Sequence, residues 1–554
     1  MSTIGIGNEG DTAAVVKHRF LGFLIWQSVQ STLVYFVFKS VLFSFPFVRT
    51  RNPPFAPSLI VGFFAFLTFH LSLLLFSTSF SAVASPQPHS PASPSDLALG
   101  LVRLVFVSGG QSFPTDFRRR ARISLSLILF VIACALSGSL SLLSVCWSCF
   151  DAGGSPPRKY VLATLGFRGL TVGLFYGLYY VYKQRWGLQF PIVQRPAFFS
   201  FKMGLPLATQ QALKLSMAAY LLSAVLAVFL HYELKGQVTM GKLIAQQINF
   251  YMGVFVVYLC WELNHHLHQV LHTKRFTFAP PKGSAAAETN PSEPLLAALE
   301  QSRPKSLVQY LAYLDLCMVC ERNVDMWRRS AFFEETGETY KRVMAVCLRP
   351  LEQFASKLGE SLDSSSVDKP FQLSHQLWSP ADSRLDSRLL EIFYDFQLCA
   401  WCAQTVSSLT VHSHKEDRFG VAQLSGSNSA VTSTLLSCLI AVETFMGKKT
   451  TVQSPNYLMG PANIKWATLS AGRRESAMVV SARRRASPLY SKAYAMADVL
   501  RTSIYCIVSE FHDEMLNSAK AGLLEKEWII SSKPLYGAPE LLLQKLRLFL
   551  DFQA

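Results

Sequence analysis

The sequence predicts an all-α polytopic membrane protein, with six transmembrane helices followed by a helical soluble half. Three observations predict it. Half of the 554 residues are hydrophobic and 16% are charged, a balance outside the range of ordinary soluble domains. Apolar runs of membrane-crossing length stop near residue 272, and beyond it apolar residues return at helical three- and four-residue spacing. Charge divides near the same point: residues 1–279 hold 22 Lys and Arg against 7 Asp and Glu, and residues 280–554 hold 30 against 29. A nucleic-acid module would carry its excess in the soluble half. Here the excess flanks apolar spans and records topology, so no direct nucleic-acid binding is expected.

Residues 1–20 form a short N-terminal tail. A bilayer core needs about 20 mostly apolar residues in a helix, and six stretches qualify: 21–45, 58–83, 123–147, 160–182, 212–231 and 248–268, within a membrane domain of 21–272. The first is too long for a signal-peptide core and has no small-residue cleavage site after it, so it is expected to be a retained span. An even number of spans places both termini on one side. That side carries 14 Lys and Arg and the other side 6, which orients both termini and the soluble half toward the cytoplasm.

Within the spans, Gly169, Gly173 and Gly177 form a G-x-x-x-G-x-x-x-G stripe below Gly166. Such a stripe admits another helix closely, inside the bundle or in a homo-oligomeric seam between two copies. Lys39 and Arg168 lie within apolar runs, where a charge marks a transport route, packs in the bundle, or reaches for the interface on a long stem.

The sixth span ends in WELNHHLHQVLH, Trp261–His272, with four of the twelve histidines. His265, His268 and His272 share a helical face, and histidines at this spacing are one route to a metal site. A metalloenzyme would need further separated ligand sets. Elsewhere the only close pair is His412 and His414. The stretch is therefore expected to be the polar exit of a helix, with its histidines solvated at the headgroups.

Residues 273–304, rich in Pro, are expected to form a linker, and 305–554 a helical domain. Helical patterns occupy 305–323, 336–358, 383–412, 416–446, 488–518 and 538–552, with flexible loops at 359–382 and 447–487. The C-x-x-C pairs Cys317–Cys320 and Cys399–Cys402 sit in apolar helix patterns, where cysteine behaves as a small hydrophobe. Cys146–Cys149 closes the third span, where a disulfide is an open alternative. No phosphate-cradling loop, nucleophile elbow or zinc-protease motif occurs. No catalytic residue, cofactor or resident metal is expected.

Several segments carry a resemblance: FPIVQ (Phe190–Gln194), YLAYLDL (Tyr310–Leu316), RRSAFF (Arg328–Phe333) and AWCAQTVSSLTVHSHKEDRFGVAQ (Ala400–Gln423). With the order of parts, they resemble the transmembrane nucleoporins of the nuclear-division-cycle family. The loop between the third and fourth helical patterns is shorter than in animal members, and the Ser-rich loops are similar to those of plant members. The histidine cluster is not a mark of the family. The resemblance implies a six-span anchor in the pore membrane of the nuclear envelope, a structural role in pore assembly rather than an enzyme, and both termini on the pore side. It also implies partners: the bilayer, other membrane-ring nucleoporins, ALADIN, and small linker nucleoporins with an RNA-recognition-like fold. The residues expected to organise the domain or meet partners are Tyr310, Leu311, Tyr313, Asp315, Arg328, Arg329, Phe332, Trp401, Glu416, Asp417, Arg418, Phe419 and Gly420. Within EDRFGV, Asp417 and Arg418 are expected to pair or cap a helix, Phe419 to be buried, and Gly420 to permit close approach.

Overall fold

The computed structural model describes residues 9–44, 57–87, 115–150, 158–229, 240–280, 283–367, 389–451, 488–529 and 534–552. These residues are overwhelmingly helical, with a single isolated bridge between Ser85 and Gly187 in place of any strand. The chain is all-α. It divides into two compact units, one of Ala13–Lys274 and one built on Arg275–Ala554.

The first unit contains α1 (Glu9–Ser44), α2 (Pro57–Val83), α3 (Thr115–Phe150), α4 (Arg158–Tyr182), α5 (Ala197–Phe229) and α6 (Met240–Thr273). Their outer faces are apolar and bare. On α1, Leu21, Ile25, Val29 and Leu33 recur every four residues and are each more than half exposed. Such a stripe is unsustainable in water over this area and ordinary in lipid.

Among the described residues, five helices are long and apolar enough to cross a membrane: Ala14–Val41, Ile60–Val83, Arg118–Cys146, Ala197–Phe229 and Ser427–Gly447. The first four coincide with expected spans. The fifth belongs to the second unit and is a core helix, since 72% of its apolar window is buried, against 44% or less for the others. The fourth and sixth expected spans, α4 and α6, also form helices of membrane-crossing length. Each turns one face to the protein interior and leaves apolar residues such as Leu178 and Ile248 exposed on another. Tyr176 and Tyr180 of α4 and Tyr258 and Trp261 of α6 are fully buried, and an enclosed face can carry polar groups that find partners inside the bundle.

Those partners are explicit. Glu262 accepts two 2.7 Å bonds from the Arg185 guanidinium and one of 3.1 Å from the Tyr176 hydroxyl. Arg168 is 2% exposed, donates to Gln247 Oε1 at 3.2 and 3.3 Å, and lies 3.7 Å from the Phe250 ring centroid. Lys39 donates to the Val145 carbonyl at 3.3 Å. Both spans' cations are thus bound into helix packing.

The glycine stripe seats α4 on α3. A Cβ at Gly173 would overlap the Cys134 carbonyl oxygen and lie 2.8 Å from Ala135 Cα; one at Gly169 would lie 2.7 Å from Ser139 Cα; one at Gly177 would lie 3.1 Å from Val131 Cα. Of the two roles open to the stripe, packing inside the bundle is the one it fills here.

The end of α6 is closed by side chains from afar. Arg19 donates to the carbonyls of Leu271, His272 and Lys274 at 2.8, 2.9 and 2.7 Å, and Gln194, from the FPIVQ segment, donates to Thr273 O at 3.3 Å. These carbonyls are orphans of the helix terminus, and a guanidinium is the side chain best suited to collect several of them.

The second unit contains α7 (Ala285–Thr289), α8 (Glu293–Gln301), α9 (Leu307–Glu321), α10 (Met326–Ser330), α11 (Glu338–Val367), α12 (Phe396–Glu416), α13 (Val421–Leu424), α14 (Ser427–Thr451), α15 (Pro488–Glu510), α16 (His512–Lys520), α17 (Leu524–Trp528) and α18 (Pro539–Asp551). At its centre runs α9, buried continuously from Tyr310 to Cys320. Ser306 starts it by accepting from Gln309 N at 3.3 Å, while Gln309 accepts from Lys305 N at 2.7 Å, a reciprocal cap.

Two expectations need correction. The stretch 273–304 is not an extended linker over its described length. Phe278, Leu295 and Leu296 are fully buried, and α8 packs against α9. Prolines at 291 and 294 precede or open α8, where the first turn tolerates them, instead of breaking it. The first flexible loop also starts late, because α11 continues to Val367; the rest of 359–382, and 447–487 beyond Thr451, lie outside the described residues. The Cys149 side chain lies outside them as well.

Candidate functional site

The segments singled out in the sequence meet around two buried guanidinium groups. Arg328 and Arg329 stand side by side on α10, each 1% exposed. Charges this deep persist only when paired and hydrogen-bonded.

Arg328 turns toward Asp315 of α9, which is 0% exposed. Its Nη2 donates to Asp315 Oδ2 and to the Phe278 carbonyl, both at 2.9 Å. Asp315 also accepts from Arg275 Nε at 2.7 Å and from the Phe278 backbone N–H at 2.9 Å, and Arg275 Nη2 continues to Asp325 at 2.6 Å. One carboxylate thus fixes α9, α10 and the first residues of the unit.

Arg329 turns the other way. It donates to both carboxylate oxygens of Glu416 at 2.5 and 2.9 Å, to Cys320 O at 2.9 Å and to Asn323 Oδ1 at 3.2 Å. The two-pronged contact is the geometry for which arginine is suited and lysine is not. Next to it, Asp417 accepts from Phe419 N at 3.2 Å and from Ala422 N at 2.8 Å, capping α13 as aspartate does at helix starts.

The remaining members fill the core. Tyr310 lies against Trp401, ring centroids 6.3 Å apart, and its hydroxyl reaches Asp395 at 3.4 Å; Tyr313 donates to Val346 O at 3.1 Å. Leu311 and Phe332 are fully buried. EDRFGV departs from expectation at two positions. Phe419 is 52% exposed, because Asp417 draws the loop into a tight turn that directs its ring outward. Gly420 meets nothing within 4 Å of a would-be Cβ; its φ of +67° is what requires glycine. Arg418 is exposed.

Removing either partner of the second pair should be costly. Arg329→Ala and Glu416→Ala are each expected to lower stability, and the double variant less than their sum. The coupling should be about 1–3 kcal/mol, measured as a double-mutant cycle on the midpoint of thermal unfolding. Strict additivity would show that the pair contributes nothing.

The histidines of α6 do not sit in solvent. His268 and His272 are 1% and 5% exposed, stacked on each other at 3.8 Å, and His268 lies edge-on to Phe23 and Phe80. His266 faces elsewhere, stacked on Phe201 and bonded to the carbonyls of Ser200 and Phe201. The expected solvated exit is thus overturned: α1 and α2 cover this face, so the rings serve as aromatic packing. Among the described residues, no three His, Cys, Asp or Glu side chains group to hold a metal. Burial raises the thiols of Cys317, Cys320, Cys399 and Cys402 well above their ordinary value, which keeps them protonated.

A lipid-facing helical bundle, continued by a helical unit knit together by buried ion pairs, defines a polytopic all-α membrane protein. Comparison with curated proteins gave no match. The family model described as nucleoporin protein Ndc1-Nup matches residues 162–383 and 371–517. The chain therefore belongs to the Ndc1-type transmembrane nucleoporins, a family of membrane anchors of the nuclear pore.

Proposed function

We propose that this chain ties the nuclear pore scaffold to the pore membrane and is needed when pores assemble. The observation that carries the reading is the union of two surfaces in one chain: a bundle whose outer face is apolar, and an ordered unit outside the apolar runs. The bundle, 21–272, crosses six times. The basic flanks of the spans orient both termini to the cytoplasmic and nucleoplasmic side. The helical unit, 305–554 with the packed segment before it, meets scaffold nucleoporins of the kinds the family resemblance implies, among them ALADIN, the membrane-ring nucleoporins and the small RNA-recognition-fold linkers. Holding that unit at the membrane raises its effective concentration toward partners arrayed there.

Within the family segments, roles divide by burial. Asp315, Arg328, Arg329, Glu416 and Asp417 organise the fold, while Arg418 and Phe419 are available to a partner. No catalytic step is assigned. A tagged full-length copy in living cells should give a punctate nuclear rim. A chain ending at Lys274 should reach the same membrane but fail to restore pore number in cells depleted of the full protein. A purely reticular or plasma-membrane pattern for the full chain would sink the reading.

A further inference from the structure

The second unit bares a short apolar segment beside its first residue. Val324 is 86% exposed, Met326 50% and Trp327 43%. These are unusual residues to leave in water, and they fall within one short stretch while Arg328 and Arg329, which follow them, are buried. The segment is held out rigidly. The Arg328 and Arg329 guanidinium groups lock α10 from beneath, and Asp325, lying between Val324 and Met326, is bonded to Arg275 Nη2 at 2.6 Å.

Arg275 is the link to a particular occupant. Helix α6 ends at Thr273, and two residues of chain span at most about 7 Å. A group bonded to Arg275 therefore stays close to the point where the chain leaves the bilayer. The local charge agrees with a lipid surface. Arg322 is exposed two residues before the segment, beside the exposed Glu321, and Lys274 is exposed just before Arg275, while the acid inside the segment is paired with Arg275. A tryptophan with aliphatic neighbours and basic flanks is the composition that settles at a headgroup layer, and basic residues there add attraction for anionic lipids.

We propose that Val324, Met326 and Trp327 form a membrane-contact tip that seats the second unit on the anionic bilayer surface beside the exit of α6. The proposal rests on the reading of α6 as a membrane span. Contact at this tip adds a second, non-spanning attachment and limits the swing of the unit about the Lys274–Arg275 junction. The apolar side chains enter the headgroup region, and Arg322 and Lys274 meet lipid phosphates.

The test uses full-length protein in bilayers containing phosphatidylserine, with Cys506, the exposed thiol among the described cysteines, replaced by serine. An environment-sensitive fluorophore is placed singly at Val324→Cys, at Leu129→Cys on the lipid face of α3, and at Leu548→Cys on α18. Leu129 and Leu548 are 58% and 56% exposed. The expected result is quenching of the 324 probe by lipids spin-labelled near the headgroup, deep-label quenching at 129, and none at 548. Val324 quenching should fall when phosphatidylserine is replaced by phosphatidylcholine. Quenching at 129 without any at 324 would overturn the tip and leave the span reading intact. No lipid quenching at 129 would overturn the span reading, and the tip with it. Protection of 324 only on adding a nucleoporin partner would make the segment a protein contact and reject the lipid assignment.

Discussion

Replacing Asp315 with alanine is expected to cost about 3–5 kcal/mol, the range for breaking a buried ion pair from one side. The carboxylate is fully buried and serves Arg275, Arg328 and the Phe278 backbone N–H together. Its removal leaves the buried Arg328 guanidinium without its carboxylate and releases the segment from Arg275 to Phe278. Asp315→Asn keeps the volume and part of the bonding but not the charge, so it should fall between wild type and alanine. Limited proteolysis of the full-length protein is the direct measure: the alanine variant should be cut within 275–304 at protease levels that leave wild type intact. Equal resistance of the two would show that the network contributes no stability.

Gly173→Ala should be as damaging in the first unit, although alanine is the better helix former by about 1 kcal/mol. The added methyl meets the Cys134 carbonyl and Ala135 Cα, which are backbone atoms of α3 and cannot rotate aside. The helices must part, and the contacts at Gly138, Gly169 and Gly177 loosen with them. A loss of about 3–5 kcal/mol is expected, the tail of single-substitution effects. Gly166→Ala is the internal control, since its methyl would meet only Ser139 Oγ at 3.6 Å. The thermal aggregation temperature of detergent-purified protein should drop sharply for Gly173→Ala and stay near wild type for Gly166→Ala. Equal behaviour of the two would show that close approach at Gly173 is not what holds α4 to α3.

Much of this was legible in the chain, and the failures share a cause. Span lengths, the glycine stripe and the apolar periodicity of Tyr310–Leu316 are local signals, and the helices follow them. Which side a polar residue faces depends on neighbours hundreds of residues away. The histidines of α6 are expected in solvent because sequence does not reveal that Phe80 and Phe23 close over them. Prolines made 273–304 look like a linker, yet Arg275 and Phe278 are fixed by Asp315 forty residues later. The family segments pointed to Asp315, Arg328, Arg329 and Glu416, but not to their pairing, since two adjacent arginines choosing different carboxylates is a tertiary fact. Phe419 went wrong for a similar reason: hydrophobicity suggested burial, and the Asp417 turn decided against it. The apolar tip at Val324–Trp327 was missed although its residues were in plain view, because it is apolar only in the company of a buried neighbour on each arginine.

The Arg19 cap on α6 has a consequence in time. Its farthest acceptor, the Lys274 carbonyl, lies 255 residues downstream. At about 5–20 residues per second of synthesis, the guanidinium waits roughly 13–50 s for its acceptors to be made. During that interval α1 exists without the carbonyls that its arginine will cap. The contact that ties α1 to the end of α6 is therefore among the last that the bundle can form.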